Sequence, residues 1–172
     1  NAHKQLLQNQ PNALLILVPR HADRFTQVAE LLNNSELNWQ QRSQQQEPNE
    51  TTQVYLADTV GELMQWFATS DVAFIGGSLV PFGGHNILEP AALNTPVISG
   101  NHYANLKALF EPFIEANAIT IVNNSNELAQ QLNQLIQNPE QAQDLAQKAH
   151  DCFAQQTGAL QRTLDLIKPY IK

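Results

Sequence analysis

Apolar residues in this chain come as short unbroken runs, separated by longer stretches in which they recur every three or four positions. Leu14 to Val18 is aliphatic throughout, as expected for a strand covered on both faces, and Pro19-Arg20-His21 ends it. From Ala22 to Leu32 the spacing predicts a helix, with Phe25, Val28, Ala29, Leu31 and Leu32 on one side and Asn33-Asn34-Ser35 as its stop. A weaker strand, Leu37 to Arg42, precedes a polar, Gln-rich stretch from Ser43 to Thr52 that reads as a mobile loop. Gln53 to Ala57 reads as a strand, and Asp58-Thr59 as the cap of a helix from Val60 to Ala68, with Glu62 at capping-box spacing from Thr59. Further strands are expected at Val72 to Ile75, Val97 to Ser99 and Ile119 to Val122. Helices are expected from near Asn86, from Asn105 to Glu115, and from Asn126 to Ile136 with Ser125 as N-cap. The tail from Pro139 shows only helical rhythm, and an interruption at Thr157-Gly158 suggests two closing helices.

Strands that alternate with helices and lack period-two patterning predict an α/β fold, a Rossmann-like parallel sheet with helices on both faces. In such sheets ligands lie beyond the carboxyl ends of the strands. Pro19 to His21, Asp58 to Glu62, Gly76 to Glu89 and Gly100 to Lys107 all follow expected strand ends, so these segments are expected to converge on one rim. The richest is GGSLVPFGGHNILEP, from Gly76 to Pro90: a buried strand, a glycine-rich turn, then the start of a helix. Glycines let the backbone approach a ligand, and the first amides of a helix point out of its end. Phosphate is the first ligand this pattern suggests.

Composition narrows the choice. At 172 residues the chain suits one domain with a real core, 1–172, its last stretch from about 139 a helical tail. No apolar run approaches the roughly 18 residues needed to span a bilayer. The net charge of -7, with nine Lys and Arg, argues against nucleic acid as partner. Cys152, alone, excludes an internal disulfide and reads as a packed helix residue. The polar opening at Asn1 resembles a cut at a domain boundary.

Several residues at the expected rim carry candidate chemistry. Arg20 either makes paired bonds to a phosphate or carboxylate, or is an exposed loop arginine paired with Asp23 or Glu30. His21 and His85 can donate to an anion or titrate near neutral pH, although a lone histidine is more often structural, and the spacing of His21, His85 and His102 matches no zinc motif, so no metal is assigned. Glu89 either favours the start of its helix electrostatically or accepts bonds from ribose hydroxyls. For Glu62 the capping role is the stronger reading of the side chain, while the backbone of Val60, Gly61 and Glu62 is placed to read the polar edge of a base. No Ser-His-Asp arrangement, Walker loop or GxGxxG motif is present, which removes the main support for kinase, NTPase and dehydrogenase readings.

Together these motifs resemble the C-terminal half of the bacterial 3-deoxy-D-manno-oct-2-ulosonic acid (Kdo) transferases. The resemblance rests on LLILVPRHADRF from Leu14, DTVGEL from Asp58, GGSLVPFGGHNILEPAA from Gly76, Asn105-Leu106-Lys107, and GALQRTLDLIKPY from Gly158. It implies the nucleotide-sugar half of a GT-B glycosyltransferase with CMP-Kdo as donor, the lipid A precursor (lipid IVA) as acceptor, and no cofactor. It places CMP contacts at Pro19, Arg20, Val60, Gly61, Glu62, Asn86, Ile87, Leu88 and Glu89. From it we expect Glu89 on the ribose, the 60–62 backbone near cytosine, Arg20 and the Asn86 helix end on the phosphate, and Lys107 with His102 on the Kdo carboxylate; His85 is a further candidate. It also implies that the general base, the membrane anchor and much of the acceptor surface belong to an N-terminal half of the same protein, at the cytoplasmic face of the inner membrane. The chain alone is then expected to be soluble, to bind CMP or CMP-Kdo weakly and to transfer nothing. Competing readings are a GT-B donor domain for a UDP-sugar and a noncatalytic interaction domain whose glycine-rich turn is only a tight junction.

Overall fold

The structure, a computed structural model, describes residues 1–167, and side chains as far as 156. The ending Lys168-Pro169-Tyr170 of the last motif lies outside the described residues. The chain forms two compact units, Asn1–Trp66 and the part from Phe67 onward.

In the first unit α1 (Ala2–Asn9) precedes β1 (Leu15–Leu17), α2 (Phe25–Asn33), β2 (Trp39–Gln41), β3 (Val54–Leu56) and the start of α3 (Leu63–Ala68). The strands form a parallel sheet in the order β1-β3-β2, with Leu17 and Gln41 both opposite Leu56. All three residues of the central strand are buried: Val54 and Leu56 are fully enclosed and pack with Leu32 of α2, and Tyr55 lies between them. Helix α1 was not foreseen from the sequence. Of its residues only Leu6 is buried, too weak an apolar stripe to stand out. The 43–52 stretch, read as a mobile loop, is tied down: the Tyr55 hydroxyl donates to the Gln46 carbonyl at 3.0 Å, and the Thr52 hydroxyl to Gln40 Oε1 at 2.9 Å.

The second unit contains β4 (Ala73–Ile75), α4 (Leu88–Ala92), β5 (Val97–Gly100), α5 (Lys107–Glu115), β6 (Thr120–Val122), α6 (Ser125–Gln137) and α7 (Pro139–Ile167). Its sheet is also parallel, in the order β4-β5-β6, with every residue of the central strand buried. Helix α7 packs against α4, α5, α6 and β5. Its Ala149 and Cys152 join Phe110, Phe113, Ile87 and Val97 in one core cluster. Cys152 is thus the packed residue expected, and burial raises its thiol above the usual range.

Three expected boundaries are corrected. Helix α3 begins at Leu63, not Val60, because Gly61 takes a φ of +92° that no helix accommodates. The N-cap of α6 is Asn124, whose side chain accepts from the amides of Asn126 and Glu127, rather than Ser125. The tail is one helix running through Thr157-Gly158, since a single glycine costs a helix only about 1 kcal/mol relative to alanine. Among the described residues no helix is long and apolar enough to cross a membrane.

Candidate functional site

Parallel pairing fixes which loops share an edge. In the first sheet Leu17, Gln41 and Leu56 lie in register, so the segments that follow them leave on the same side. This brings Pro19 and Arg20 to the same carboxyl edge as Val60, Gly61 and Glu62, and adds Arg42. Pro19 is half-buried; Arg20 and His21 are exposed and enter a single 3-10 turn, Ala22–Arg24. Val60 is 83% exposed, unusual for valine.

The carboxylate of Glu62 is engaged. The guanidinium of Arg42 donates to both of its oxygens, Nε to Oε2 at 3.2 Å and Nη2 to Oε1 at 2.9 Å, and the Thr59 hydroxyl donates to Oε2 as well. The bonds from Arg42 and Thr59 hold the Glu62 carboxyl below the usual range, and the Arg42 guanidinium is correspondingly raised, first by its bonds to Glu62. The capping expectation is therefore modified: Thr59 and Glu62 do pair, but through the hydroxyl, while the Glu62 carbonyl accepts from Gln65 and Trp66 at the head of α3. Asp58, expected as a cap, instead holds the end of β2. It accepts from the Ser43 amide at 2.9 Å and from the Ser43 hydroxyl and Gln41 Nε2, each at 2.6 Å.

In the second sheet the segments after β4 and β5 leave from the same carboxyl edge. The loop from Gly76 to Ile87 is latched to β5 through Ser78, which is fully buried. Its hydroxyl donates to the Ile75 carbonyl and accepts from the Gly100 amide at 2.7 Å, and its carbonyl accepts from the His102 amide at 2.9 Å. A Cβ at residue 100 would stand 2.2 Å from that carbonyl oxygen, so the approach requires glycine. At the far end of the loop, Gly83 has a φ of +84° and faces the Asn105 side chain. The latch brings His85 and Asn86 to Glu89 to the same edge as His102 and Lys107.

Helix α4 is shorter at its start than expected, beginning at Leu88, and the Leu88 amide is already taken by Asn86 Oδ1 at 3.0 Å. A five-residue helix carries little dipole, so the anion-binding capacity of this corner rests on individual backbone amides and side chains more than on the helix. Ile87 is fully buried and acts as an anchor, while Asn86, Leu88 and Glu89 are half-buried. His85 and His102 are half-buried too. Lys107 is exposed and pairs with Glu111 one turn on at 3.3 Å, an arrangement weak enough to open for a ligand.

Sequence reading missed Arg42 and Ser78. Arg42 was the last residue of a weak strand, and a basic residue at a strand end, in a chain with nine Lys and Arg, was a usable signal. Ser78 carried none, because its role comes from burial. Among the described residues no cluster of His, Cys, Asp and Glu is placed to hold a metal ion.

Residues 1–151 match the family model described as glycosyl transferases group 1. The chain is 43% identical over 172 residues to the 3-deoxy-D-manno-octulosonic acid transferase of Haemophilus influenzae, covering 99% of this chain and 40% of that protein. It is 35% identical to the enzyme of the same description from Bordetella pertussis, over 94% of this chain and 38% of the relative. It therefore spans about two fifths of the length of these relatives. Among solved structures, the C-terminal CMP-Kdo binding domain of WaaA from Acinetobacter baumannii superimposes with a TM-score of 0.83 at 39% identity, covering 88% of this chain and 79% of that one. A family model over most of the residues, together with likeness in both sequence and fold, leads to one conclusion: the chain belongs to the group 1 glycosyl transferases, as a counterpart of the C-terminal domain of the 3-deoxy-D-manno-octulosonic acid transferases.

Proposed function

We propose that this chain is the CMP-Kdo-binding part of an enzyme that transfers Kdo from CMP-Kdo to the lipid A precursor, lipid IVA. The observation that carries the reading is the likeness, in sequence and in backbone, to a domain described as binding CMP-Kdo. In the first unit Arg20 pairs with the phosphate, a guanidinium being able to make two charge-assisted bonds to it, and the backbone of Val60, Gly61 and Glu62 reads cytosine. Because the Glu62 carboxylate is committed to Arg42 and Thr59, its contribution to the base is made by the main chain. In the second unit Glu89 accepts from the ribose hydroxyls, Asn86 to Leu88 support the phosphate, and Lys107 with His102 meets the Kdo carboxylate. His85 borders the same edge.

Transfer breaks the bond between the anomeric carbon of Kdo and a phosphate oxygen, so negative charge builds on the departing CMP. Donors held at that phosphate before the reaction stabilise the transition state more than the ground state. The nucleophile must lose a proton as it attacks, and we assign that base, the acceptor surface and the membrane attachment at the cytoplasmic face of the inner membrane to a further part of the full-length enzyme. The chain alone then binds CMP and transfers nothing. Equilibrium competition among CMP, UMP and UDP tests the nucleotide, and incubation with CMP-Kdo and lipid IVA tests the division of labour. We expect CMP to be preferred and no product to form. Preference for UDP contradicts the donor, and product formed by the 172-residue chain contradicts the assignment of the base.

A further inference from the structure

We propose that Arg42 is a positioning residue for nucleotide recognition: it holds Glu62, and through it the main chain of Val60 and Gly61, in the conformation that meets the base. The inference rests on the reading above that this segment faces cytosine. Arg42 directly follows β2, whose pairing with β3 sends both following segments off the same edge. Its guanidinium meets Glu62 with two donors at 3.2 and 2.9 Å, a fork-to-fork contact that a single point charge does not reproduce. The same guanidinium lies 6.0 Å over the Trp66 ring, and Trp66 is met edge-on by Tyr55, with ring centroids 5.7 Å apart. Arg42 is thus fixed by a carboxylate on one side and an aromatic face on another.

The segment it restrains needs that restraint. Gly61 is exposed at a φ of +92°, and nothing lies within 4 Å of where its Cβ would stand. Val60 is also exposed, so local packing does not set the course of the chain there. The segment is tied instead at its two ends, by Asp58 on Ser43 and by Glu62 on Arg42, both partners belonging to the short stretch after β2. The pairing has a second effect: it balances the Glu62 charge beside a site proposed for an anionic nucleotide.

The test is a binding cycle on the full 172-residue chain with Arg42→Gln, Glu62→Gln, the double variant and Arg42→Lys, using cytidine, CMP and ribose 5-phosphate as ligands. Because the partners act as a unit, each single change is expected to weaken cytidine and CMP by about three- to fivefold, and the double variant no more than either alone. Arg42→Lys should recover part of the loss. Ribose 5-phosphate, which has no base, should bind all variants alike, whereas a general loss of structure would lower every affinity together. Losses that multiply in the double variant, an unchanged cytidine affinity in Arg42→Gln, or an equal loss for ribose 5-phosphate overturns the inference while CMP binding by the unaltered chain stands. Failure of the unaltered chain to bind cytidine or CMP overturns the functional reading itself, and this inference with it.

Discussion

At residue 100 the geometry leaves no room for a methyl group. A Cβ there would stand 2.2 Å from the Ser78 carbonyl oxygen and 2.6 Å from the Leu79 amide nitrogen, both main-chain atoms, and Ser78 itself is fully buried. Gly100→Ala is expected to destabilise the chain by about 1–3 kcal/mol in urea denaturation, the usual cost of overpacking, because the latch holding the glycine-rich loop must move. An unchanged midpoint would show that the loop is not held through this contact. Asp58 gives a second test. Burial pushes its carboxyl up, but bonds from Gln41 and from the Ser43 side chain and amide outweigh burial, and the net shift is downward. A carboxyl whose folded value is depressed contributes stability that is full above the unfolded value near pH ~4 and is lost as pH falls through the folded value. Asp58→Asn should therefore be less stable than the unaltered chain at neutral pH, with the gap closing below about pH 4. A gap that is constant across that range would assign the effect to packing instead. Much of this scale was legible in the sequence: PRH, GEL and NILE flagged their segments. What was not legible is who partners whom, since the pairing of Arg42 with Glu62 depends on strand register and the role of Ser78 depends on burial.

At the scale of elements, the unbroken aliphatic runs told most of the story. Leu14 to Val18 and Val72 to Ile75 have no polar alternation and both contain strands, but the first, expected to be covered on both faces, lies at a sheet edge with Leu15 to Leu17 only half-buried. Element ends were harder, for reasons visible in particular residues. Helix α3 starts late because Gly61 occupies a left-handed conformation, and α7 continues through Gly158 as a single helix. The start of α6 shows how a cap can be read one residue off. Ser125 is a good capping type, but Glu127 lies three residues after Asn124, and this spacing marks the real cap. The Asn124 side chain accepts from the amides of Asn126 and Glu127 at 3.0 and 2.9 Å, and the Glu127 carboxylate accepts from the Asn123 amide at 2.8 Å. Asn124→Ala is expected to cost about 1 kcal/mol in thermal or chemical unfolding, whereas Ser125→Ala, inside the first turn, should fall within roughly 0.5 kcal/mol of the unaltered chain. The reverse order of effects would return the cap to Ser125.

At the scale of the whole molecule, a chain with a net charge of -7 is proposed to bind an anionic nucleotide. The two are compatible because charges farther than about 8 Å are screened at physiological salt, so local groups such as Arg20 and Lys107 decide. The pairing of Arg42 with Glu62 contributes by balancing a carboxylate next to the proposed base contact. Since the chain spans about two fifths of its curated relatives, binding without transfer is the behaviour to look for. The most direct measurement is a residue-resolved amide titration of the chain with CMP, with UMP as the control ligand. CMP is expected to shift Arg20, Val60 to Glu62 and Asn86 to Glu89 saturably, at concentrations where UMP shifts them less. Saturating CMP that leaves those amides unmoved would contradict the proposed donor site.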